Sequence, residues 1–257
     1  MVTDTGLMAT KLADVARGYV RRWFPDRDEW DLPGGRASIM LDEEFCREVA
    51  SRYDKAPELA WSAKLEAMYE KFMAGNRRQY DALTGAGLRV RPWQRPGQPY
   101  ESSRDLREGV ARTGTLYVYL TESGHGPGPG TGFHPLRAPS GVRVDGVELS
   151  HNDIFRAVHD AFGHVAADAG FGPRGEFTAT CCHLRMYSGD VLPVMFTEQI
   201  GQICWFFFGQ HLADDTGRLP RPGERGYVPP SRRPYPRQKV FAYPDEILDR
   251  FRALYID

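Results

Sequence analysis

The sequence is short of lysine, of paired cysteines, of uncompensated charge and of unbroken apolar runs. Basic and acidic residues number 33 and 34, for a formal net charge of −1. That balance leaves no basic footprint for nucleic acid or an acidic membrane surface, so neither is expected as a partner, and small-molecule chemistry fits better. Five of the 33 basic residues are lysine and the other 28 arginine, a bias that carries little functional weight. Cys46, Cys181, Cys182 and Cys204 form no CxxC pair. A zinc knuckle and a secreted disulfide framework are thereby excluded, and reduced thiols are the expectation. The first twenty residues lack the continuous apolar core of a signal peptide, which points to a cytoplasmic protein. The most apolar stretch, VLPVMFTEQIGQICWFFFG, is broken by Pro193, Glu198, Gln199 and Gln202 and reads as a buried helix rather than a membrane span.

What is present is mostly helical periodicity. Apolar spacing predicts helices over about 7–24 and 41–53, and a long amphipathic one from Pro57 to near Gly85. GLRVRPW and TLYVYL read as short strands around a helix near 101–112, and the Asp-Gly of GVRVDGVELS marks a hairpin. ESGHGPGPGTGFHPLRAPSG is a long loop. Beyond Asn152, taken as an N-cap, helices are expected at about 153–168, 175–188 and 194–211. A proline- and arginine-rich segment and a final helix from Pro244 to Leu254 follow. The expected fold is one mainly α domain over 1–257 with a minor β element: a helical N-terminal part to about residue 90, a helical core at about 150–212, and the Pro/Arg-rich C-terminal segment.

The chemistry-bearing stretch is IFRAVHDAFGHVAADAGFGPRGE. Buried histidines need partners for their ring nitrogens, and His159 and His164 are flanked by Phe155, Val158, Phe162 and Val165. In a straight α-helix five residues separate side chains by roughly 140° and about 7.5 Å of rise, so the pair cannot share an ion there. A bulge could realign them, and Gly163 is well placed for one.

HDAFGHV resembles the HELLGHVP motif of the pterin-dependent aromatic amino acid hydroxylases, whose two histidines at this spacing bind iron. MFTEQIGQ is similar to their WFTVEFGL, whose glutamate completes the iron site. The resemblance implies Fe(2+) held by His159, His164 and Glu198, with dioxygen and a small organic substrate, aromatic or an amino acid, meeting on the ion's open face; the activity implied is that of a non-heme monooxygenase. Asp160 stands where the family has Glu and Ala166 where it has Pro. The resemblance therefore bears on the iron more than on a tetrahydropterin cosubstrate or the substrate. FRAVHDAFGHV is also similar to short bacterial and phage proteins, a likeness that carries no chemistry.

Other readings stay open. His159-Asp160 could centre an HD-type metal phosphohydrolase, with His125, His134 and Asp190 as the available further ligands. Both histidines could also be satisfied core residues of a non-catalytic protein. His183 could support the site from the next helix or serve a dinuclear one. Glu176 could either cap its helix or belong to the site. Gln202, one turn after Glu198, could orient that carboxylate or contact substrate. Glu198, mid-helix among Val194, Met195, Phe196, Ile200 and Ile203, is preferred to Glu176 as third ligand because an unpaired carboxylate there would need a cation. One of Arg218, Arg221, Arg225, Arg232 and Arg233 could clamp a substrate carboxylate.

Overall fold

The computed structural model describes residues 4–27, 38–125 and 133–256. Among them the chain is mainly α with a minor β element. In chain order the elements are α1 (Asp4–Trp23), β1 (Ser38–Ile39), α2 (Glu43–Lys55), α3 (Ala63–Gly85), β2 (Arg89–Trp93), α4 (Ser103–Thr113), β3 (Thr115–Tyr119) and α5 (Thr121–His125). Then come β4 (Pro139–Val144), β5 (Val147–Ser150), α6 (His151–His159), α7 (Pro173–Leu184), α8 (Leu192–Phe196), α9 (Gln202–Phe208), α10 (Asp245–Arg252) and β6 (Tyr255–Ile256). A π-helical turn at Asp160–Val165 continues α6, and a second at Thr197–Gly201 joins α8 to α9. Part of the loop expected between TLYVYL and the hairpin, residues 126–132, lies outside the described residues.

Local chemistry sets the boundaries. Asp42, Ser62 and Ser102 each accept a hydrogen bond from a first-turn N–H of α2, α3 and α4, meeting the orphan donors of a helix start. For α6 the cap is Ser150 rather than Asn152, because Asp153 completes a capping box with it. Asp153 also accepts from the backbone N–H (2.7 Å) and hydroxyl (2.6 Å) of Thr121, tying the start of α6 to α5. Among the described residues the strands make three two-stranded pairings: β2 with β3 in parallel, with α4 as the crossover, and β4–β5 and β1–β6 antiparallel. Asp145 and Gly146, both at positive φ, turn β4 into β5, as expected of an Asp-Gly hairpin.

The core lies between α3, α6 and the α8–α9 unit. α3 buries Tyr69 and Phe72, and Phe72 packs edge-on against Phe155 of α6 at 5.0 Å between centroids. α2 covers α9, and α7 covers the π-turn after α6. The apolar stretch Gly189–Leu212 is long and apolar enough to cross a membrane by length and composition, and 61% of its most apolar window is buried within the chain. The Pro/Arg-rich segment is largely irregular and is pinned to the rest of the chain by a parallel bridge between Leu59 and Val240.

Candidate metal centre

The first π-turn answers the spacing problem. A π-helix closes i→i+5 bonds, here Ala166 N–H to Ala161 C=O at 2.9 Å, so side chains five apart fall on one face. His159 and His164 consequently face the same point, their rings edge-to-face at 5.0 Å. Gly163 makes this possible: a Cβ there would sit 2.9 Å from Ala179 Cβ and 3.3 Å from the His159 ring, so only glycine lets α7 pack onto the turn.

α7 delivers the third group. Its first turn carries Glu176, whose Oε2 lies 3.5 Å from His159 Nε2 and 3.4 Å from His164 Nε2. One donor atom from each of the three residues falls within 4.8 Å of the others, and all three side chains are buried. Two donors bound at about 2.1 Å to a common ion stand about 3.0–3.4 Å apart, close to the spacing of Glu176 from each histidine. The start of α7 is fixed by Gly175, whose Cβ would collide with the Gly170 carbonyl oxygen at 2.1 Å. The close approach lets the 169–172 loop lie against α7, and that loop supplies the Ala169 carbonyl to His164.

The ring nitrogens are oriented from behind. His164 Nδ1 lies 3.2 Å from Ala169 C=O, a pure acceptor, so Nδ1 carries a proton and Nε2 is the nitrogen turned toward Glu176. For His159 the orientation passes through His183. The Nε2 of His183 faces Gln79 Oε1 at 2.7 Å and the Tyr187 oxygen at 3.1 Å, whose own proton goes to Asn76 Oδ1, so His183 Nε2 is the donor. His183 Nδ1 is then an acceptor for His159 Nδ1–H at 3.4 Å, which leaves His159 Nε2 bare toward Glu176. Burial pushes the His183 pKa well below the ordinary range, keeping this ring neutral.

Positive charge on the imidazoles stabilises the Glu176 carboxylate where an ion would do the same. Burial by itself would raise the Glu176 carboxyl, but His164 and His159 overcome it and hold the pKa at about 2. Burial opposes charge on His164 too, yet Glu176 and Asp160 raise it on balance. Asp160 is pushed up by burial.

Glu198, expected as third ligand, is bound elsewhere. Its Oε1 accepts from the Tyr69 hydroxyl at 2.5 Å and from His134 Nε2 at 3.1 Å, and its Oε2 accepts from Gln202 Nε2 at 3.1 Å. His134 Nδ1 accepts the Leu136 N–H, so the Nε2 proton belongs to Glu198. Three donors satisfy the carboxylate that was expected to be unpaired, so its burial does not call for a cation. The carboxylate grouped with the two histidines is Glu176, buried in the first turn of α7. Of the HD-type candidates, Asp190 pairs with Lys71 at the surface and His134 with Glu198; the His125 side chain lies outside the described residues.

The sequence reading missed Gln199. The second π-turn lets Glu198 and Gln199, consecutive in sequence, both face the cavity, and the Gln199 amide nitrogen reaches Glu176 Oε2 at 2.9 Å and His159 Nε2 at 3.0 Å. Its one sequence signal is its place beside Glu198 in MFTEQIGQ.

The group opens onto a cavity of about 820 Å³. Phe155, Phe171, Tyr119, Phe206 and Phe207 give it aromatic walls, and Glu198 and Gln202 line it as well. His183 is enclosed behind His159 and lines none of it. Of the five arginines considered as clamps, Arg233 lines the cavity, lying over the rings of Phe206, Phe207 and Tyr227. Arg218 instead pairs with Glu224 and Asp214. Compared with family models, curated proteins and solved structures, the chain matches none.

Proposed function

We propose that the chain is a mononuclear non-heme iron enzyme, an oxygen-dependent hydroxylase of a small organic substrate, with His159, His164 and Glu176 holding Fe(2+). The observation that carries it is the convergence of two imidazole nitrogens and one carboxylate oxygen in one buried group facing a cavity. Two histidines and one carboxylate on one face of Fe(2+) leave neighbouring positions for dioxygen and substrate, and the ion supplies the oxygen activation that no side chain can.

The protein's own part is to hold and exclude. The tautomers of His159 and His164 are set by His183 and Ala169 C=O. The aromatic walls favour an apolar or aromatic body, and Arg233 in the cavity wall suits an acidic group on it. Glu198, held by Tyr69, His134 and Gln202, offers an anionic wall for a polar or cationic substrate group. A tetrahydropterin belongs to this reading only as one possible occupant of the same cavity.

The test is anaerobic loading with Fe(2+), followed by metal analysis and oxygen uptake in the presence of small aromatic acids and amino acids. About one iron per chain is expected, falling to near zero in His159→Ala, His164→Ala and Glu176→Ala and retained in Glu198→Gln. Zinc retained in preference to iron, with no oxygen uptake, would overturn the hydroxylase reading; loss of iron on changing Glu198 but not Glu176 would overturn the ligand assignment.

A further inference from the structure

We infer that Gln199 is a fourth protein ligand of this centre, through its side-chain amide oxygen, and that it turns over when the ion enters. The inference rests on the metal reading above and deepens it. A neutral imidazole nitrogen has one in-plane lone pair, and that of His159 Nε2 receives a hydrogen bond from the Gln199 amide nitrogen at 3.0 Å. The second amide hydrogen reaches Glu176 Oε2 at 2.9 Å. The amide thus bridges the two donor atoms that a cation would use. His159 cannot give the same lone pair to both, so a bound ion must break this contact. It would then leave an amide N–H pair, carrying partial positive charge, against a divalent ion.

Rotation of the amide by half a turn about its last side-chain bond relieves this. The oxygen then takes the nitrogen's place, about 2.9–3.0 Å from Glu176 Oε2 and His159 Nε2. That is the edge of an octahedron built on bonds of about 2.1 Å. Gln199 is 9% exposed and lies within the second π-turn, so its backbone is held at the site while the amide turns. A neutral oxygen donor adds no charge to the single carboxylate of the triad, and a mixed imidazole, carboxylate and amide set suits a six-coordinate ion over a tetrahedral one. Without the ion, the same amide keeps His159 and Glu176 pointed at one another.

Co(2+), which is stable in air, is the probe. Its affinity for the full-length protein is measured by competition with a chromogenic chelator, alongside Gln199→Ala and Gln199→Glu, with circular dichroism to check folding. Gln199→Ala is expected to bind at least about tenfold more weakly. Gln199→Glu, which puts a charged oxygen at the same point, is expected to bind more tightly than the parent and to melt at a lower temperature than the parent when metal-free, because it faces Glu176. A crystal structure of the Co(2+) form is expected to show the amide oxygen within about 2.3 Å of the ion. Equal affinities in all three proteins, or an amide still bridging His159 and Glu176 beside bound Co(2+), would overturn the fourth ligand while leaving the triad intact. A parent that binds no Co(2+), although His159→Ala and parent fold alike, would sink the metal reading and this inference together.

Discussion

Glu176 and Glu198, the two buried glutamates lining the cavity, differ in what surrounds them, not in how buried they are. Glu198 has three hydrogen-bond donors in Tyr69, His134 and Gln202, whereas Glu176 has the Gln199 amide and faces the Nε2 atoms of both His159 and His164. Glu198→Gln should therefore spare metal content and alter substrate dependence, seen as a change in KM at unchanged iron stoichiometry. Gly163 offers a second test at this scale. Gly163→Ala pushes a methyl group onto Ala179, and overpacking of this kind costs about 1–3 kcal/mol, readable as a lowered denaturation midpoint. The thiols give a third. Burial pushes Cys182 up to about 12 and Cys204 well above the ordinary range, while Cys181 is half-buried. A raised pKa lowers the thiolate fraction at any pH below it. At pH 8 an alkylating reagent should thus mark Cys181 well before Cys182 in a peptide map of the native protein, the gap narrowing only toward pH 12. At this scale the histidine pair and its glycine were legible in the sequence, whereas the partner of each carboxylate was not: Tyr69 lies 129 residues from Glu198.

The elements matter through two departures from the α-helix. Both π-turns occur where cavity residues are presented: one aligns His159 with His164, the other brings Glu198 and Gln199 to the same side. The spacing of five demanded a bulge in the first case, so that one was foreseeable; nothing comparable marked the second, where a continuous helix was expected. α3 orients the site from a distance through Gln79, His183 and His159. Gln79→Leu removes the acceptor that fixes the His183 proton, and lost outer partners of metal-bound histidines cost about 10–100-fold in affinity. A fall in metal affinity of about tenfold is expected at unchanged helical circular dichroism; an unchanged affinity would show that the His183 tautomer does not govern His159.

For the whole molecule, the ion should act as a staple between α6 and α7, which the triad spans. A ligand that binds only the folded chain stabilises it by about 2.7 kcal/mol at a concentration one hundredfold above its Kd. Loading with Fe(2+) or Co(2+) should therefore raise Tm by roughly 5–10 °C over the chelator-treated protein, and His164→Ala should lose that rise.

By itself the sequence determined the helical character, the Asp-Gly hairpin, the long helix ending at Gly85 and the two histidines as the place to look, because each of these follows from local periodicity, turn chemistry or the cost of burying an imidazole. Only the tertiary structure decided which carboxylate joins them. Glu176 and Glu198 both follow the histidines on helical stretches, and the difference lies in partners brought from α3 and the 134–137 turn on one side and from the π-turn on the other. Hydrogen bonds between elements so far apart in the chain leave no trace in local spacing, so the choice is made by packing.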